Sequence, residues 1–222
     1  MKKDWSEEEL QEIAKQLNNP EGSEGVKTGE RMSHGNGHMI HKTIDVLHIK
    51  PNDFILEIGP GNGGHLHSIL ETSENVKYQG VDISATMVEE ANRMNEEAVK
   101  SGKVSFTLSD GKMLDFPDHT FDKSFTVNTV YFWENPTEYA SEIYRVLKPG
   151  GIFALSFSDS DFMKNLPFTK FGFQLYHKDE AKKLLTNAGF KIQETIEETE
   201  VMKSNLGDDM ERPVVIILST KG

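Results

Sequence analysis

Phe54-Ile55-Leu56-Glu57-Ile58-Gly59-Pro60-Gly61-Asn62-Gly63-Gly64 is the stretch on which the architecture turns. A short apolar run stopped by glycines suits a buried parallel strand feeding a tight turn. Glycines there let the backbone bend sharply and approach a ligand where a Cβ would clash. Beyond it, strand-like and helix-like stretches alternate: a helix at 64–71, a strand at 78–83, a helix at 84–100, and strands at 104–108 and 121–128. A helix over 136–147 has Pro136 in its first turn and stops at Lys148-Pro149-Gly150-Gly151, before a strand at 152–157. Such units close with right-handed crossovers, so they build a parallel sheet with helices on both faces and ligand sites at the strands' carboxyl ends.

The flanks break that rhythm. Residues 1–50 read as a helical cover, with an acidic amphipathic segment at 6–17, a turn at 18–25 and a second helical pattern through Met39, Ile40, Ile44 and Leu47. Residues 51–222 form the core. An aromatic-rich insert at about 158–178 is expected to complete a substrate pocket, and a helix at 179–187 follows, ended by Gly189. Strands at 191–198 and 214–219, joined by a polar loop, suit a terminal hairpin.

Composition removes several classes of function. The 222 residues carry 24 basic and 36 acidic side chains, a formal charge of -12 that repels a polyphosphate backbone, so nucleic acid is not the expected partner. With no cysteine there are no disulfides, thiolate metal sites or cysteine nucleophiles. No stretch is long and apolar enough to span a bilayer and no signal peptide is visible, so a cytoplasmic protein without a membrane partner is expected.

Two cofactor classes remain open on the glycine loop itself. Gly59, Gly61 and Gly64 satisfy the spacing of a dinucleotide fingerprint, which an NAD(P)-dependent oxidoreductase would use. Asp82 ends the second strand about twenty positions further on, where a carboxylate accepts from both ribose hydroxyls of either cofactor; its structural alternative is helix capping, for which Ser84 is better placed. Glu57 either adds negative charge beside the loop or holds the turn through backbone amides. Ile83 suits an adenine face or the core.

Leu56-Glu57-Ile58-Gly59-Pro60-Gly61-Asn62-Gly63, Gly80-Val81-Asp82-Ile83-Ser84 with Met87 and Ala91, Phe116-Pro117-Asp118 with Phe121-Asp122, and Leu147-Lys148-Pro149-Gly150-Gly151 stand in that order. Together they resemble the class I S-adenosylmethionine-dependent methyltransferases, in the branch containing ubiquinone- and menaquinone-biosynthesis enzymes. The resemblance spans roughly 51–190. It implies a Rossmann-like, doubly wound α/β fold: seven strands, mostly parallel with an antiparallel last strand, and helices on both faces. It also implies S-adenosylmethionine as cofactor and a small-molecule methyl acceptor. Glu57, Gly59, Gly61 and Gly63 would line the amino-acid end of the cofactor, Asp82 would hold the ribose, Asp110 with Gly111 would meet the adenine, and Asn128 would face the methionine moiety. Read from the residues alone, Asp110-Gly111 is also a turn-forming pair.

Tyr131, Phe132 and Trp133 either wall a methyl-transfer pocket, where a ring face favours a sulfonium, or pack as core. Methyl transfer from a sulfonium disperses positive charge, so alignment and desolvation carry much of the catalysis and a base is optional. Where the acceptor must lose a proton, His34, His38, His41 and His177 are the candidates. The His34, His38, His41 and His65-x-His67 spacings read as solvated or capping histidines, with no metal site expected. A non-catalytic cofactor-binding regulator is the remaining alternative, and the exposed N-terminal helical segment suits a homodimer.

Overall fold

The computed structural model describes residues 5–203 and 209–222. Three helices come first, α1 (Glu7–Asn18), α2 (Gly22–Gly35) and α3 (Gly37–Val46), followed by β1 (Phe54–Ile58), α4 (Leu66–Leu70), β2 (Lys77–Asp82), α5 (Ala85–Met94), α6 (Glu96–Lys100), β3 (Val104–Leu108) and β4 (Phe121–Val127). A 3-10 turn (Val130–Phe132), α7 (Pro136–Val146), β5 (Leu147–Phe157), α8 (Ser160–Met163), a second 3-10 turn (Pro167–Lys170) and α9 (Lys178–Asn187) lead to β6 (Lys191–Lys203) and β7 (Asp209–Thr220). The strands form one seven-stranded sheet in the order β3-β2-β1-β4-β5-β7-β6. β7 is antiparallel to both its neighbours, and β1 to β5 pair in parallel, so the last strand is the reversed one. Crossovers leave β1 for β2 on one side and reach β4 on the other, which opens a crevice at the strands' carboxyl ends.

Burial on both faces explains the near-continuous apolar strands. Ile55 of β1 packs with Ile40, Ile44 and Leu66, whereas Leu56 and Ile58 point the other way, into a cluster with Ile143, Leu185 and Phe153. β5 alternates likewise, with Phe153 and Leu155 on one face and Ala154 on the other. Fully burying such a side chain stabilises the fold by roughly 1.5–3 kcal/mol. Helix starts follow local chemistry. Ser6 and Glu9 form a reciprocal capping box at α1, whose first turn is acidic, and Ser84 Oγ accepts from the Met87 N–H at 3.1 Å to start α5.

Several boundaries differ from the sequence expectation for identifiable reasons. The turn expected at 18–25 gives way at Gly22 to α2, which buries a stripe of small residues, Gly25, Thr28 and Gly29, instead of an apolar one. The helix expected over 84–100 is split at Asn95, whose side-chain amide donates to Ala91 O and to Gly63 O. Lys148 to Gly151 does not only stop α7: β5 begins at Leu147, and the irregularity is absorbed in its pairing with β4, where the register shifts between Phe121 and Lys123. The terminal hairpin is longer than expected because β6 and β7 stay paired from Lys191↔Thr220 to Lys203↔Asp209; residues 204–208 of the expected loop lie outside the described residues. Among the described residues no helix is long and apolar enough to cross a membrane.

Candidate functional site

A cavity of about 300 Å³ opens where β1, β2, β3 and β4 end. Glu57 to Asn62, Val81 to Ile83, Ser109 to Gly111 and Val127 to Thr129 form its floor and sides. Its remaining walls come from Leu17, Asn18, Pro20, the α2 residues Gly29, Met32 and Ser33 and the following Asn36, with Phe132, Trp133 and Tyr139 opposite. The wall expected from the insert at 158–178 is thus supplied by the N-terminal helices. The insert packs behind that wall without lining the cavity itself: Phe173 lies 4.5 Å from Phe132 and 5.8 Å from Phe168, ring centre to ring centre.

The glycine loop is built for close approach. Gly59 has φ +71, and a Cβ there would stand 2.4 Å from Thr129 Cγ2. Gly61 has φ +57 with nothing within 4 Å of a Cβ position, so its open side belongs to the cavity. Gly63 is different: a Cβ would meet Phe106 and Asn95, and the residue does not line the cavity. Its demand is packing beneath the loop.

Asp82 ties the loop to β2. Its Oδ2 accepts from Gly61 N–H at 3.0 Å and its Oδ1 from Ser84 N–H at 2.9 Å, and the residue is buried. Burial pushes its carboxyl pKa up to about 6, against the two amide bonds that favour the charge. Its capping and its cavity-lining positions therefore coincide. Among the described residues no backbone amide bonds the Glu57 carboxylate. Its Oε2 accepts from Tyr78 Oη at 2.5 Å and lies 2.8 Å from His65 Nε2, and all three side chains are buried. Burial and the neighbouring carboxylate push the Tyr78 pKa well up, so it stays a phenol.

Asp110 is exposed at the cavity rim, where its Oδ1 accepts from Lys112 N–H at 2.9 Å and Met113 N–H at 3.0 Å; these bonds hold its pKa below the ordinary carboxylate value. It therefore closes the turn the Asp-Gly pair suggests while also lining the cavity. Gly111 sits against Ile83, which is 38% exposed and lines the cavity. Asn128 adopts φ +58, donates to Asn36 Oδ1 at 3.1 Å and accepts from Tyr131 Oη at 3.2 Å. Of the aromatic trio, Phe132 and Trp133 line the cavity, whereas Tyr131 is core, bonded to Asn128 and Ser158.

None of His34, His38, His41 and His177 lines the cavity. His38 faces Glu198, His41 bonds Gly37 O and Ser68, and His177 faces Asp159 on the surface. The histidine at the site is His65, and its partner His67 is exposed beside Ser68. Spacing gave no signal for the Glu57–His65–Tyr78 cluster, since it joins one strand end to the next strand and to a helix start. The α2 wall has a signal in retrospect, small residues at positions 25, 28 and 29, a helical spacing to which hydrophobic periodicity is blind.

A family model described as a methyltransferase domain matches residues 56–155. Demethylmenaquinone methyltransferase of Symbiobacterium thermophilum is 32% identical over 149 residues, covering 66% of this chain and 58% of that protein. An O-methyltransferase of Pyrenophora dematioidea is 26% identical over 166 residues, covering 72% of this chain and 62% of that protein. The chain thus spans about three-fifths of the length of these curated relatives. Among solved structures, the Haloferax volcanii methyltransferase in complex with the Trm112 methyltransferase activator superposes with TM-score 0.73 at 18% identity, over 88% of this chain and 94% of that one. Geranyl diphosphate methyltransferase in complex with GPP and sinefungin gives TM-score 0.70 at 16% identity, over 84% and 78%. Residues 56–155 thus match a methyltransferase-domain model, and the chain shares its fold with these solved methyltransferases.

Proposed function

We propose that the cavity binds S-adenosylmethionine and that the protein transfers its methyl group to a small-molecule acceptor. One observation carries this reading: the open side of Gly61, the Asp82 carboxylate and the Asp110-Gly111 turn converge on one cavity beside the buried acid Glu57. Among the described residues four acids, Glu57, Asp82, Asp110 and Glu134, line it and no lysine or arginine does, a charge balance that suits a sulfonium with an ammonium better than a pyrophosphate. The methyltransferase relatives favour the same cofactor over a dinucleotide.

When bound, S-adenosylmethionine supplies an electrophilic methyl group on a cationic sulfur. The chain supplies placement. Each Asp82 oxygen accepts one amide and keeps a lone pair for a ribose hydroxyl, Ile83 and Gly111 offer a face for the base, and Asn128 lies toward the amino-acid end. Phe132 and Trp133 present rings that favour a sulfonium, and α2 closes over the crevice to exclude water. Apart from His65, itself engaged by Glu57, no histidine lines the cavity, which agrees with catalysis by alignment and desolvation.

The acceptor side is apolar, with Leu17, Met32, Ile40, Phe132 and Trp133 alongside Ser33 and Asn36. That lining favours a neutral small molecule, because an anion would meet the acids. Calorimetry tests the cofactor. S-adenosylmethionine and S-adenosylhomocysteine are both expected to bind in the micromolar range, and Asp82→Ala to weaken each by about a hundredfold or more, since it removes two hydrogen bonds to a charged group worth roughly 1.5–3 kcal/mol apiece. Absence of binding by both ligands to the unsubstituted protein overturns the reading.

A further inference from the structure

The buried polar cluster beneath the glycine loop has two atoms with no protein partner. Tyr78 and His65 both engage the same oxygen of Glu57, Oε2. Among the described residues nothing bonds Glu57 Oε1 or His65 Nδ1, yet neither atom is sealed in the protein, and both residues line the cavity. His65 is only 6% exposed. The two imidazole nitrogens lie on different edges of the ring, so with Nε2 held by Glu57 the Nδ1 edge is turned away from that acid.

Charge decides what that edge can take. Of the described side chains lining the cavity, only His65 can carry a positive charge. A ligand carboxylate placed among these acids needs a cationic donor, and the lining offers one. We infer that His65, held as an imidazolium by Glu57, donates from Nδ1 to the carboxylate of an α-amino-acid ligand while Glu57 Oε1 accepts from its ammonium. Tyr78 is a positioning residue that pins the other carboxylate oxygen. Burial opposes a charge on His65, and the Glu57 carboxylate outweighs it, so the His65 pKa lies above the ordinary histidine value.

This rests on the cofactor reading above, so the test separates the two. The full chain is titrated calorimetrically with S-adenosylmethionine, with decarboxylated S-adenosylmethionine, which lacks only the carboxylate, and with 5′-methylthioadenosine, which lacks the amino acid altogether. The unsubstituted protein is expected to prefer S-adenosylmethionine over its decarboxylated form by about ten- to a hundredfold, the range of one charged hydrogen bond. His65→Gln is expected to weaken S-adenosylmethionine by a similar factor and to change the decarboxylated form and 5′-methylthioadenosine less than about threefold. Equal losses for all three in His65→Gln make His65 merely structural and overturn the inference. So does equal binding of the carboxylated and decarboxylated forms by the unsubstituted protein, a readout that does not depend on the variant folding. If none of the three binds, it is the cofactor reading that fails.

Discussion

Asp82 makes the unliganded protein and its complex respond to pH in opposite directions. Its pKa is about 6 in the fold against an ordinary aspartate value of 3.8, so the folded state holds the proton more tightly. Stability of the unliganded chain should therefore fall as pH rises from about 4 to 6, by something on the order of 3 kcal/mol, and Asp82→Asn should flatten that slope. Urea unfolding at pH 4.5 and 7 checks it. Ribose hydroxyls donate to the ionised form, so S-adenosylhomocysteine affinity should drop about tenfold per unit below pH 6, and an affinity independent of pH from 5 to 7 would remove Asp82 from the binding set. The two loop glycines make a second contrast. Gly59→Ala drives a Cβ into Thr129 at a positive φ and should cost roughly 2–4 kcal/mol of stability. Gly61→Ala meets only open space and should cost about 1 kcal/mol while weakening S-adenosylhomocysteine tenfold or more, because the added methyl occupies the ligand's side of the loop.

At the scale of elements, the distal β6–β7 hairpin is tied to the cavity wall by a buried ion pair. Arg212 of β7 is paired with Glu200 of β6, and it also donates to Gly35 O at 2.8 Å and Asn36 Oδ1 at 2.9 Å, at the junction of α2 and α3. Asn36 Oδ1 also accepts from Asn128 at the end of β4. Arg212→Met leaves Glu200 buried without its charge partner and should destabilise by about 3–5 kcal/mol, whereas Glu200→Leu combined with Arg212→Met should recover much of that loss. Urea midpoints of the single and double variants decide it. Local chemistry made β1, the capped start of α5 and the Pro136 start of α7 legible, because each depends on neighbours within a few positions. α2 was illegible because its buried face is small rather than apolar: a Cβ on Gly29 would stand 2.6 Å from Met87 Sδ of α5.

Across the molecule, the cover and the sheet enclose the cavity together, so ligand binding should report on both. S-adenosylhomocysteine at a hundredfold its Kd should stabilise the fold by about 2.7 kcal/mol and raise the melting temperature by about 5–10 °C. Backbone hydrogen exchange should slow in α2 as well as in the glycine loop, and protection confined to the loop would show that α2 does not close on the ligand. Asp82 was findable from its strand end, since position along a parallel sheet dictates what reaches its carboxyl edge, whereas the Asp110-Gly111 pair was reached only through the family resemblance. The Glu57–His65–Tyr78 cluster was not, because its members meet only after β1 and β2 pair, with Glu57 opposite Gly80. Periodicity and turn chemistry act over a few residues, and so the sequence by itself determined the doubly wound sheet, its glycine loop and the acid beside it. Which histidine enters the site, which helix walls it and which arginine holds that helix depend on partners from 8 to 177 positions apart, and only packing of the whole chain decided them.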